Sequence, residues 1–212
     1  EHRLDTSCRD TLDFHYDGMR LPHKRMTIGT ISYGANVAIN TSNLKAYSIS
    51  LPVSGKQILN MRGERYLSDE KNGLIVSNAD LQDLTIDKDC KKLQVVVPEQ
   101  SLQSVLADLL HQPVEKSVVF NPKMHFDSEH LINAWWKNIQ NFLQCKSQYT
   151  GFYGLPLLAE DYENFIIKAL LLSQENNYSE QLKQLSTQTQ PTYIQRVHKF
   201  ILTHAQEDIC VD

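Results

Sequence analysis

The chain has 212 residues, a formal net charge of −4 and 41% hydrophobic residues, an ordinary globular composition with ample length for a core. Mild acidity argues against nucleic-acid binding by this stretch alone, because a DNA-binding face needs clustered Lys and Arg to displace counterions. No apolar run reaches the roughly 18 residues of a membrane span, and the polar start Glu1-His2-Arg3-Leu4-Asp5 has no apolar signal core.

The basic cluster Arg20, His23, Lys24 and Arg25 surrounds Pro22 and reads as a solvated loop. Strand signals follow. Met26 to Tyr33 is β-rich and ends at Gly34, and Val37-Ala38-Ile39 is a short second run. Ala46 to Leu51 alternates strictly, with Tyr47, Ile49 and Leu51 on one face. Gln57 to Met61 turns through Arg62-Gly63 into Glu64 to Leu67, and Asn72-Gly73 marks a further turn. Leu74-Ile75-Val76, Leu81 to Ile86 and Leu93 to Val97 complete a set of short, evenly spaced strands over residues 1–98. That pattern predicts an antiparallel sandwich or barrel.

After Pro98 the period becomes helical. Leu102, Val105, Leu106 and Leu109 form one stripe. Leu131, Trp135, Ile139, Phe142 and Leu143 form a second, and Leu158, Tyr162, Phe165, Ile166, Ala169 and Leu170 a third. Residues 99–178 are therefore expected to be a helical region. His125 and His130 stand at the start of its second helix, and Asn176-Asn177 closes its third. The Ser, Thr and Gln of residues 179–190 read as a linker. Pro191 suits the first turn of a last helix carrying Ile194, Val197 and Ile201. Ile209 to Asp212 then starts a new apolar segment that stops at once, so residues 191–212 read as the truncated start of a further domain.

Little in the chain suggests catalysis. Metal-dependent barrels hold their ion with His-x-His and a nearby Glu, yet no histidine occurs between Lys24 and Leu110. Cys8, Cys90, Cys145 and Cys210 are far apart, which argues against zinc or a disulfide framework and suits a reducing cytoplasm. Neither Gly-x-Ser-x-Gly nor a phosphate-binding glycine loop appears. The expectation is no catalytic residue, no metal and no cofactor.

Several segments carry a family resemblance. They are Ile31-Ser32-Tyr33-Gly34-Ala35, the run Tyr47 to Gly55, Gly73-Leu74-Ile75-Val76-Ser77, and Leu93-Gln94-Val95-Val96-Val97-Pro98 with Leu102. Leu157 to Glu160, Phe165 to Leu172, and the late Tyr193-Ile194, Val197, Phe200-Ile201 continue the series. Together and in this order they resemble AraC/XylS-family transcription regulators with a cupin-like effector-binding half. Asn78-Ala79 departs from the family's usual Ser-Pro-type turn. The resemblance implies an α+β chain, with an N-terminal antiparallel cupin-like β-barrel followed by a helical dimerisation region. Residues 191–212 would then open a helix-turn-helix DNA-binding domain. It also implies a homodimer and a small-molecule effector. Operator DNA and RNA polymerase would be partners of the full-length regulator only, and these 212 residues should not bind an operator.

Strand parity suggests Tyr33, Tyr47, Ile49, Leu51 and Val95 as inward, ligand-binding side chains, although plain core packing suits them equally. A parity slip would put Ser48 inward in place of Tyr47. The stripe Leu131, Trp135, Ile139 and Phe142 is the candidate dimer interface, with packing against the barrel as its alternative. A regulator domain that only dimerises and a metal-dependent cupin enzyme are the rival readings.

Overall fold

Two antiparallel sheets and a layer of helices account for the described residues, which in this computed structural model are 2–6, 12–42, 44–77, 80–126, 130–145 and 155–187. In the five-stranded sheet the order is β1 (His2–Thr6), β4 (Val37–Thr41), β9 (Gln82–Ile86), β6 (Gln57–Met61) and β7 (Glu64–Ser68). In the six-stranded sheet it is β11 (Lys123–His125), β8 (Asn72–Val76), β5 (Ala46–Ser54), β10 (Lys91–Pro98), β3 (Thr27–Ser32) and β2 (His15–Arg20). The fold is α+β, and the expected barrel takes the form of two sheets facing each other. Among the described residues no strand pairs across the two sheets.

Alternation along the central strands decides what each face of the six-stranded sheet meets. On β8, Leu74 and Val76 enter a core between the sheets with Ile39, Leu59, Met61 and Ile86, while Ile75 between them faces the other way. On β10, Leu93, Val95 and Val97 join that other side, a larger core under the helices. The helices are α1 (Glu99–Leu110), α2 (Leu131–Gln144), α3 (Pro156–Ser173) and α4 (Ser179–Thr187). Leu102, Val105 and Leu106 of α1, Ile139 and Phe142 of α2, and Ile166 and Leu170 of α3 are all buried there. Each such side chain contributes about 2 kcal/mol of burial free energy. Strands and helices thus share one core, and Met124 of β11 returns from the helical half to complete it.

Three local expectations change. The buried stripe of α3 is Ala159, Glu163, Ile166, Ile167, Leu170 and Leu171, so Leu158 and Phe165 of the predicted stripe lie outside, Phe165 at 52% exposure. This helix is apolar on two faces, and the predicted stripe mixed them: Ile166 and Leu170 are buried and Tyr162 and Ala169 pack partly against the core. Glu163 faces inward because its carboxylate accepts the backbone N–H groups of His23, at 3.1 Å, and Lys24. The stretch expected to be a linker opens as α4: Leu182 is buried in the helical core, and Asn176 makes the corner. Asn176 Nδ2 donates to the carbonyls of Leu171 and Gln174, and its Oδ1 accepts from Tyr178 N–H. Finally, His125 belongs to β11, and α2 starts only after His130, because Met124 fills a core position on the sheet. Residues 188–212, including the expected last helix, lie outside the described residues, as do Cys8, Cys210 and Asn78-Ala79.

Candidate functional site

The inward faces of β5 and β10 are more polar than their outward faces. On β10 the alternation that sends Leu93, Val95 and Val97 toward the helices sends Lys92, Gln94 and Val96 between the sheets. On β5 it sends Tyr47, Ile49 and Leu51 to the helices and leaves Ser48 on the inter-sheet side. These residues wall an open cavity of about 550 Å³, flanked by Ile31 and Tyr33 on one side and Ile39 and Leu84 on the other. A pocket of this size holds one small molecule.

Among the described residues Lys92 is the one charged side chain on the cavity wall. It is 3% exposed, and its Nζ donates to Gln57 Oε1 at 3.0 Å. Gln57 is held in turn, because its Nε2 donates to Ser50 Oγ at 2.8 Å and to Ser68 Oγ at 3.1 Å. That arrangement fixes the amide with its oxygen toward the lysine. Burial lowers the Lys92 ammonium to about 8, and Cys90 nearby opposes the fall. Gln94 Nε2 donates to Ser48 Oγ at 2.7 Å. Burial pushes the Tyr33 hydroxyl up to about 12, so it is a neutral donor at physiological pH.

Of the five side chains expected to face a ligand, Tyr33 lines this cavity and four do not. Tyr47, Ile49, Leu51 and Val95 sit on the opposite face, in the core under the helices. Tyr47 donates its hydroxyl to Val118 O at 3.0 Å and meets Phe120 edge-on, and burial raises its pKa well above the ordinary tyrosine value. The strict alternation was read correctly, but its apolar side was assigned to the lumen. The helical layer claims that side, because it supplies far more apolar surface than the space between the sheets does. Ser48 faces inward in place of Tyr47, as the alternative parity has it, whereas Lys92 and Gln94 were missed. The available signal was a lysine and a glutamine interrupting the β10 run Lys92-Leu93-Gln94-Val95 at a spacing of two.

The proposed dimer stripe divides in a similar way. Trp135, Ile139 and Phe142 are buried within the chain, whereas Leu131 is 71% exposed. Trp135 donates from Nε1 to Ile166 O at 2.9 Å, and Phe142 stacks on Tyr162. The outward apolar surface belongs instead to Leu131 of α2 with Phe165 and Leu172 of α3. These three border a groove of about 380 Å³ that also touches Ala134, Ala169 and an edge of Trp135.

A larger cleft of about 670 Å³ lies over the β6–β7 hairpin, but its polar groups are matched to one another. Arg62 makes two bonds to Asp80, at 2.8 and 2.9 Å, and Asn60 donates to Asp83. Among the described residues no cluster of three His, Cys, Asp or Glu could hold a metal ion, and no helix is long and apolar enough to cross a membrane.

Two facing sheets around a small cavity, with helices stacked on one outer face, define a cupin-like domain of the kind joined to helical regions. Residues 1–172 match the AraC-binding-like domain family, and the chain belongs to that family. Among solved structures, the AraC-like transcriptional activator CuxR is 12% identical, with a TM-score of 0.54 over 99% of this chain and 72% of that one. The EutQ protein of Clostridium difficile is 9% identical, covering 42% of this chain and 66% of that one at a TM-score of 0.34. The Cnp3 cupin domain of Schizosaccharomyces pombe is 11% identical, covering 42% and 64% at a TM-score of 0.35. A comparison with proteins of curated function finds no match. Membership of this family points to a regulatory rather than an enzymatic role.

Proposed function

We propose that this chain is the effector-binding and dimerisation part of an AraC-type transcription regulator acting in the cytoplasm. The inter-sheet cavity with its buried polar wall is the observation that carries the reading. A small molecule enters between the sheets, and two copies pair through the outward face of α2 and α3. A helix apolar on both sides needs a partner on each, and the core satisfies only one side of α3. A second copy brings the same groove of Leu131, Phe165 and Leu172, so a two-fold contact is self-complementary. Operator DNA and RNA polymerase are partners of the full-length regulator, and the effector acts by shifting how paired DNA-binding domains are presented.

Sedimentation and thermal melting test both halves. The chain should sediment as a dimer, and Leu172→Asp should make it monomeric while leaving its circular dichroism unchanged. Some member of a mixed panel of sugars, acids, amines and nucleotides should raise the melting temperature in proportion to the logarithm of its concentration. Filling the cavity with Val96→Trp should abolish that response. A wild-type monomer at high concentration refutes the pairing. A response that survives Val96→Trp refutes the site.

A further inference from the structure

We infer that the inter-sheet cavity selects a small organic carboxylate, its acid group against the Lys92 Nζ and its carbon skeleton against Ile31, Ile39, Leu84 and Val96. The inference rests on the effector-binding reading and adds the chemical class of the ligand.

An ammonium carries three donors, and here one is used, toward Gln57 Oε1. Among the described residues no carboxylate lies within ion-pair distance of Lys92. Burying a cation without a counter-charge is unfavourable. The network beneath it is nonetheless complete: Ser50 and Ser68 hold Gln57, and Gln57 holds Lys92. A buried lysine supported in that way on the wall of an open volume is suited to receive an anion.

The remaining wall narrows the class. Ser48 and Gln94 already bond to each other, and the Tyr33 hydroxyl stays neutral at physiological pH. Among the described residues the wall therefore carries a single positive charge, which repels cationic ligands. One ammonium matches a monovalent carboxylate, whereas a doubly charged phosphate would leave charge unmatched in a desolvated site. The apolar flanks Ile31, Ile39, Leu84 and Val96 suit a hydrocarbon body, while Thr41, Ser42 and Gln82 on the same wall leave room for a polar substituent on it.

Calorimetric titration of the full chain at neutral pH with matched acids and amides tests this, using benzoate and octanoate against benzamide and octanamide. At least one acid should bind about tenfold or more tightly than its amide. Lys92→Met should lose that preference while keeping a cooperative melt. Lys92→Arg, which retains the charge, should keep part of it. If sugars, amines or the amides bind and Lys92→Met binds them equally well, the carboxylate inference is overturned and the effector reading stands. If neither protein binds any of these probes or any member of the mixed panel, both are overturned.

Discussion

Replacing Lys92 by Met gives the chain a stability–pH profile that isolates one buried charge. Burial lowers the Lys92 ammonium from 10.5 to about 8. Between those values the folded chain has released the proton and the unfolded chain still holds it. The unfolded state then binds more protons, so stability rises with pH across the window from 8 to 10.5, and the penalty is fully present below it. The fall corresponds to about 3 kcal/mol at neutral pH, of which about 2 kcal/mol returns between roughly pH 7 and pH 9.5. Lys92→Met removes the whole effect. Its advantage at neutral pH is smaller than 3 kcal/mol, however, because Gln57 Oε1 loses its donor at a cost of about 1 kcal/mol or more.

The slope of the difference between the two proteins is therefore the better measure. Urea unfolding at several pH values, with Cys90→Ala in both proteins to remove the neighbouring thiol, supplies it. The stability of the methionine variant relative to the lysine protein should decline by about 2 kcal/mol from pH 7 to 9.5. Stopping there avoids Tyr33, whose raised value near 12 makes the folded state lose stability once tyrosines of the unfolded chain ionise above 10. A flat difference curve refutes the burial of an unpaired ammonium, and with it the argument for a ligand counter-ion.

Two other substitutions probe the joints of the helical layer. Glu163→Ala frees the turn at His23 and Lys24 from α3 and should lower stability by about 2 kcal/mol in urea, a value kept modest because His23 is exposed. Glu163→Gln should lose about half as much, since one acceptor survives. Tyr47→Phe should cost about 1 to 2 kcal/mol in the same assay by leaving Val118 O without its donor, and it should leave any ligand response of the cavity unchanged; altered affinity would return Tyr47 to the site.

The α+β class, the change of period at Pro98 and the central strands were legible because hydrophobic period is a local property of the sequence. Which face of β5 and β10 met which neighbour was not. Tyr47, Ile49 and Leu51 announce an apolar face, but only the position of the helices says whether that face is lumen or floor. The same limit applied to α3, where Phe165 and Ile166 are both apolar, adjacent and oppositely placed. Glu163 was beyond pattern reading, since its burial depends on backbone N–H groups about 140 residues away along the chain. Polar residues 179–187 looked like a linker because a helix held by Leu182 and by the corner at Asn176 has too few apolar residues to show a period.

Placing the cavity on one face of β10 and the helical core on the other has a mechanical consequence. Lys92 and Gln94 alternate with Leu93 and Val95 on a single strand, so a backbone shift that follows a ligand on one side displaces core side chains on the other. β10 also runs directly into α1 at Pro98–Glu99, and α1 packs against α3, whose far side carries the outward groove. Close-packed cores answer such shifts by moving between discrete arrangements rather than by yielding gradually. The energy available has a definite scale. An anion at Lys92 that restored the roughly 3 kcal/mol that burial withholds from the ammonium would change affinity by a factor of about a hundred between two arrangements that differ in that contact. Allosteric couplings typically lie between about 1 and 3 kcal/mol, so under the proposed function a coupling through this one buried charge would be of ordinary size.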